Sequence, residues 1–194
     1  MKITLYSANI RRYDRPLNLP GVVVFNGHKD FADPRKESRK YKILSNLYLD
    51  CDVSIYMDAN IAPVWHPKRM VEELLGTADM AVHRHPVRKC LYAEAAKVIA
   101  LRKDIASTVN QQVSHYEKQG YPQNNGLYEC GFIIRRHNER IRRFNNEWFA
   151  QVTRFSTRDQ ISFPYALAIS PGIDLNIIEG DLRRQPFIKY HKHK

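Results

Sequence analysis

The chain has 194 residues, with 31 Lys and Arg against 20 Asp and Glu for a net charge of +11, and 43% of its residues are hydrophobic. That length supports one domain burying roughly 70% of its unfolded surface without a disulfide or structural metal, and the composition excludes a disordered or collagen-like chain. The longest aliphatic run, GVVVF at residues 21–25, excludes a membrane span of about 20 apolar residues. Strands rich in Val, Ile and Tyr are expected at residues 2–7, 22–26, 53–58, 80–83, 130–135 and 175–179, each bounded by Gly, Asn, Asp or Pro. Helices are expected between them. Residues 35–48 carry Tyr41, Leu44, Leu47 and Tyr48, and residues 67–75 open on a proline and stop at Gly76. Residues 89–101 are alanine-rich, and 109–119 end at Gly120 with Pro122 beyond. Residues 137–155 place Ile141, Phe144, Trp148 and Val152 on one stripe. Strands alternating with helices imply an α/β domain whose mostly parallel central sheet has helices on both faces, with ligands collecting beyond the carboxyl ends of the strands.

Cys51, Cys90 and Cys130 are widely spaced and never form a CxxC pair, which suits a reducing compartment and small buried side chains rather than disulfides or zinc. The N-terminus turns charged at Arg11 before an apolar signal region can form. The expected location is therefore the cytoplasm, of a bacterial cell or of a virus-infected host. The positive balance suits a phosphate-bearing ligand, an anionic polymer such as DNA, or an acidic membrane face.

Five segments carry candidate chemistry. VSIYMDAN runs from a buried strand into Asp58, Ala59 and Asn60. If the chain stays extended, Asp58 and Asn60 face one ligand, an oxygen half-site for Mg²⁺ or Mn²⁺ whose other ligands are diphosphate and water; the alternative is a simple turn. The tail FIKYHKHK offers His191 and His193 as ligands and three lysines as counter-charge over a bound diphosphate, or else a frayed end. In STRDQISFPYA, Asp159 and Gln160 either start a helix or face a cleft. HRHPVRKCLYAEA places His83, His85, Arg88 and Lys89 at a strand end entering a helix, an anion-attracting arrangement, with Glu94 a surface carboxylate or a functional one. Gly131, inside a strand, suggests a close backbone approach, and the arginines of residues 135–143 form a basic face. Walker, GxGxxG, GxSxG and HExxH patterns are absent.

SRKYKILSNLYL, SIYMDANI, HRHPVRKCLYAEA, YEKQGYPQNNGLYECGFIIRRHNE and RDQISFPYA occur in this order across about residues 30–170. Together they resemble the plant mucilage hexosyltransferase-like glycosyltransferase family, formerly a domain of unknown function and also found in bacteria and viruses. The resemblance implies a single GT-A domain over residues 1–194, Rossmann-like, using a nucleoside-diphosphate sugar and Mn²⁺ or Mg²⁺. It implies metal ligands at Asp58, Asn60 and one of His191 and His193, with Asn60 standing where a fuller DxD motif has a second Asp. It implies a donor site drawing on Tyr6, Ser7, Ala8, Asn9, Arg39, Lys42, Asp58, Ala59, Asn60, His85 and Arg88. Asp159 and Gln160 are the implied catalytic pair in the sugar pocket, Glu129 and Glu94 the next carboxylates in line, and residues 186–194 a tail over the donor. The acceptor is a hydroxyl of a glycan, lipid-linked or protein-linked sugar. Two other readings remain open at this point: transfer to modified bases of DNA, which the charge favours but no DNA-binding motif accompanies, and a non-catalytic basic binding module on the same fold.

Overall fold

The computed structural model describes residues 1–15 and 19–192. Its strands are β1 (Ile3–Ala8), β2 (Val22–Phe25), β3 (Val53–Met57), β4 (Ile61–Pro63), β5 (Met80–Arg84), β6 (Tyr128–Arg136), β7 (Leu175–Ile178) and β8 (Ile188–Tyr190). Its helices are α1 (Pro34–Ile43), α2 (Ser45–Tyr48), α3 (Pro67–Met70), α4 (Leu91–Ala100), α5 (Ala106–Lys118), α6 (Glu139–Arg154) and α7 (Asp159–Ala168). Six strands form one sheet in the order β2-β1-β3-β6-β5-β7. Every pairing in it is parallel except the two made by β6, so five strands share a direction and β6 runs against them. This is the expected mostly parallel α/β sheet of GT-A type.

Local chemistry explains the main helices. The Asp33 carboxylate accepts the Arg35 N–H at the start of α1, and Pro34 fills the first turn where its missing N–H is harmless. The Asn138 side chain caps α6 by accepting the Ile141 N–H, and Ile141, Phe144, Trp148 and Val152 are buried as one stripe. That stripe packs with Tyr6, Tyr56, Ile133 and Phe163 on one face of the sheet. The other face is covered by Met70, Val71 and Leu75 and by Phe187 and Ile188 from the C-terminal segment. A third cluster joins α4, α5 and α7 through Leu91, Val98, Val109, Tyr116 and Tyr165.

Several elements differ from the sequence reading. The helix expected at 35–48 breaks at Leu44, whose φ of −88° and ψ of 38° leave the helical region, giving α1 and α2. The helix at 67–75 passes from α3 into a wider π-type turn, Val71–Leu75, before Gly76 stops it with φ 57°. The C-terminal segment is not a loose tail. Residues Ile188–Tyr190 pair with Ile61–Pro63 as a two-stranded ribbon, and Phe187 is buried against His83, Phe132 and Trp65. Cys51, Cys90 and Cys130 are all free thiols, two buried and Cys51 half-buried. Among the described residues no helix is long and apolar enough to cross a membrane.

One buried cation organises the layer between α1 and the sheet. Arg135 is fully buried, and its guanidinium donates to the carbonyls of Lys42 and Ile43, to Asn145 Oδ1 at 2.7 Å and to the Tyr6 hydroxyl. Carbonyls at a helix C-terminus lack intrahelical partners and attract positive charge, so Arg135 both satisfies and anchors the end of α1. Replacing Arg135 with Met leaves the Ile43 carbonyl and Asn145 Oδ1 buried without this donor, while the Lys42 carbonyl keeps only the Tyr6 hydroxyl. The expected loss is about 3 kcal/mol, at one to three per orphaned group. Chemical denaturation checks this, and a loss under about 1 kcal/mol would contradict the anchoring role.

Candidate active site

A cleft of about 520 Å³ opens at the carboxyl ends of β1 and β3, where ligands collect in sheets of this kind. A wider groove of about 710 Å³, between residues 46–52 and 136–142, lies at the opposite ends of the same strands.

Asp58 follows β3 directly, and its N–H donates to the Gly131 carbonyl on the antiparallel β6 at 2.8 Å. Asp58 Oδ1 accepts the Tyr56 hydroxyl at 2.8 Å, and Asp58 Oδ2 lies where a Cβ on Gly131 would be 3.0 Å away. Leu182 Cδ2 would meet the same Cβ at 3.1 Å, so a side chain here would push both neighbours back by a few tenths of an ångström. The close approach coincides with a bulge. The β5 partners jump from Val82 opposite Ile133 to His83 opposite Glu129. Cys130 consequently packs on the same side of the sheet as Ile133, against the strict alternation that Phe132, Ile133 and Ile134 follow.

α1 supplies the cations. Lys42 Nζ lies 2.6 Å from Asp159 Oδ2 and 3.7 Å from Asp58 Oδ1, and Arg39 Nε lies 3.2 Å from Asp159 Oδ2. Lys42 and Asp159 are both buried. Burial alone would raise the Asp159 carboxyl, but Arg39 and Lys42 overcome it and hold the pKa down at about 2. Burial likewise opposes the charge of Arg39, and Asp159 outweighs it to raise that pKa. Burial pushes the Tyr56 phenol and the Cys130 thiol well above their ordinary values, with Asp58 reinforcing the first and Asp159 the second, so both stay protonated. Gln160 donates to the Tyr128 carbonyl at 3.4 Å beside Asp159. The loop before α7 is fixed by Asp104, whose Oδ2 accepts from Ser156 Oγ and from the Thr157 N–H and hydroxyl.

The structure brings Ala8, Asn9, Arg39, Lys42, Asp58, Ala59, Asn60, Asp159 and Gln160 together on this cleft, along with Tyr190 from the C-terminal ribbon. Other expected residues fall elsewhere. Tyr6 and Ser7 are buried inside β1, where alternation turns them into the layers and Tyr6 serves Arg135. The chain does not stay extended past Asp58: the Ile61 N–H returns to the Asp58 carbonyl in a turn. Asn60 is thereby buried and fastens the C-terminal segment. Its Nδ2 donates to the His191 carbonyl at 2.7 Å and its own carbonyl accepts the His191 N–H at 2.8 Å, while Asn60 Oδ1 is buried without a partner. His191 meets the site through its backbone, and His193 lies outside the described residues. His85 and Arg88 do not line the cleft; they close a network of their own. Arg88 Nε bonds Glu94 Oε2 at 2.6 Å, Arg88 Nη2 reaches His85 Nε2 at 3.0 Å, and His85 Nδ1 accepts the Val87 and Arg88 N–H groups. Glu94 is therefore a buried partner, not a surface carboxylate.

Sequence reasoning passed over Arg11, Tyr13, Asp14, Arg158 and Arg183, which also line the cleft. The loop after β1 is pinned by Asn9, whose side chain donates to the Asp14 carbonyl and accepts the Asp14 N–H, both at 3.1 Å. Within it Arg11 and Arg12 have φ of 56° and 53°, a conformation that side-chain-bearing residues adopt at some energetic cost and that clusters at functional sites. In all, six Lys and Arg and four Asp and Glu line the cleft, an excess of positive charge.

A mostly parallel α/β sheet with an acidic strand end set against cations of α1 is a fold and site of the glycosyltransferase class. The family model of the TOD1/MUCI70 glycosyltransferase-like domain matches residues 13–193, and the chain belongs to that family. It is 29% identical over 153 residues to the probable hexosyltransferase MUCI70 of Arabidopsis thaliana, a match covering 73% of this chain and 26% of that protein. Among solved structures, the apo bifunctional glycosyltransferase WbbM shares the fold with a TM-score of 0.51 at 7% identity, covering 91% of this chain and 38% of that one. The chain thus spans about a quarter of the curated relative's length.

The Asp159 ion pairs predict a pH dependence. A carboxyl held at about 2 in the folded state, against 3.8 for the ordinary group, stabilises the fold above about pH 4 and loses that contribution as pH falls towards 2. The shift corresponds to about 2 kcal/mol. Asp159→Asn is expected to be less stable than the parent at neutral pH, with the difference shrinking by about that amount between pH 4 and 2. Parallel stability curves for the two proteins would contradict the ion-pair assignment.

Proposed function

We propose that this domain transfers a hexose from a nucleoside-diphosphate sugar to an acceptor hydroxyl, with the donor lying in the cleft at the ends of β1 and β3. The observation that carries the reading is Asp58: a carboxylate at the end of β3, packed closely against Gly131 and set beside the buried Lys42 of α1. The family membership and the hexosyltransferase relative support the same class of reaction.

The residues fit a divalent cation. Asp58 and the unpartnered Oδ1 of Asn60 are oxygen donors of the kind Mg²⁺ and Mn²⁺ take. Among the described residues no cluster of three or more His, Cys, Asp and Glu side chains could hold a metal alone, so diphosphate and water would complete the shell. When bound, the cation would neutralise the charge that develops on the departing diphosphate.

The chain's own residues account for the rest. Lys42 and Arg39 are held in place by Asp159 and offer a preorganised positive field that needs no rearrangement as charge develops. Arg11, Arg35 and Arg158 extend that field along the cleft wall. Tyr13, 74% exposed, presents a ring for the nucleotide base on the Asn9–Asp14 loop. Asp159 stays ionised, so it serves as a fixed negative charge facing the electron-poor anomeric carbon, with Gln160 beside it binding sugar hydroxyls. Tyr190 and the Asn60-bound segment wall the cleft and exclude water.

Titration calorimetry with UDP or GDP and Mn²⁺ tests this reading. The parent protein is expected to bind nucleoside diphosphate more tightly with Mn²⁺ than without it, and Asp58→Ala to lose the metal-dependent part, about tenfold or more, while remaining folded though less stable for the loss of the acceptor of the Tyr56 hydroxyl. Metal-dependent binding that survives intact in Asp58→Ala would overturn the assignment.

A further inference from the structure

Four acidic residues line the cleft. Asp159 is locked by Lys42 and Arg39. Asp58 accepts the Tyr56 hydroxyl and abuts Gly131. Asp14 belongs to the Asn9 loop beyond β1. The fourth is Glu129, near the start of β6 and beside the bulge that brings Gly131 to Asp58.

Its surroundings are unlike those of the others. Its nearest cation is Arg183, whose Nη2 lies 3.7 Å from Glu129 Oε1, too far for a hydrogen bond. Arg183 gives its strong contact to Asp181 instead, Nε to Oδ1 at 2.7 Å. Arg88, the other cation on this side, is bound to Glu94 at 2.6 Å. Glu129 Oε2 is buried and has no hydrogen-bond partner. A buried oxygen left unpaired is costly, and natural proteins keep few of them. It is suited to receive a hydrogen bond from something that enters the cleft.

We propose that Glu129 takes the proton from the acceptor hydroxyl during transfer, a role that rests on the transferase reading above. The acceptor oxygen forms a bond to the anomeric carbon as the bond from that carbon to the diphosphate oxygen breaks. The electron pair of the broken bond leaves with the nucleoside diphosphate, and the hydroxyl proton passes to Glu129 Oε2. Burial raises the basicity of this carboxyl above the ordinary range, with Arg183 opposing, which suits a proton acceptor better than the strongly acidic Asp159.

The test uses water as the acceptor, so the natural one need not be known. The full chain is incubated with a panel of UDP- and GDP-hexoses and Mn²⁺, and release of nucleoside diphosphate is followed for the parent and Glu129→Gln. The variant is expected to bind UDP or GDP with Mn²⁺ within about threefold of the parent and to hydrolyse donor about 10²-fold or more slower, the usual contribution of a general base. Sodium azide, a nucleophile that arrives without a proton to lose, is expected to restore turnover in the variant and yield a glycosyl azide. Hydrolysis by Glu129→Gln within a few-fold of the parent overturns the proposal. So does slow hydrolysis that azide does not relieve, since Glu129 would then act on the donor and not on the acceptor proton. A parent protein that neither binds nor hydrolyses any of the panel overturns the transferase reading itself, and the role of Glu129 with it.

Discussion

The buried ion pair between Lys42 and Asp159 ties together the two elements that make the cleft. Lys42 closes the last turn of α1 and Asp159 begins α7, so a 2.6 Å contact between their charges fixes the distance between helices far apart in sequence. Such a pair gives up several kcal/mol of hydration per ion, and geometry and further partners must repay it. Arg39, one turn back on α1, adds a second contact to the same carboxylate. Arg135 holds the α1 end from below through its last carbonyls, and Trp148 Nε1 holds the start of α7 through the Asp159 carbonyl at 3.3 Å. The charges facing the cleft are therefore preorganised by packing that has no other contact with it.

A second constraint is the closeness of β6 to the end of β3. The reversed strand β6 lays Gly131 against the Asp58 carboxylate. The bulge that admits this approach also brings Glu129 to the cleft and turns Cys130 towards Asp159, where burial leaves it an inert thiol. On the far side, Asn60 spends its amide and carbonyl on His191, so the C-terminal ribbon is stitched to the same turn that presents Asp58. Sheet, helix and ribbon all converge on residues 58–60.

Much of this was legible in the sequence where the signal was local. VSIYM is a nearly unbroken apolar run closed by Asp-Ala-Asn, so the buried strand and its acidic end stood out, though not whether the chain turned after Asp58. The stripe of α6 was equally plain because its four apolar residues share one face. What stayed hidden depends on contacts distant in the chain. The short strands β4 and β8 stabilise each other across more than a hundred residues and carry no periodic signal alone. His85 and Arg88 have the composition of an anion site, yet Glu94 on the next helical turn takes their charge. Tyr6 and Ser7 lie on the right strand but one or two residues too early, since of this segment Ala8 and Asn9 line the cleft and they do not. The arginines of the Asn9–Asp14 loop owe their place to a backbone conformation that residue identity does not advertise.

The central claim is that nucleoside diphosphate and a divalent cation meet at Asp58. The most direct measurement is a crystal structure with UDP or GDP and Mn²⁺, using the anomalous scattering of manganese to find the ion. The account predicts a manganese peak within coordination distance of the Asp58 carboxylate, bridged to the diphosphate, with Lys42 and Arg39 still paired to Asp159 beneath it. A manganese-bound diphosphate in the groove between residues 46–52 and 136–142, or a filled cleft with no metal at Asp58, would contradict it.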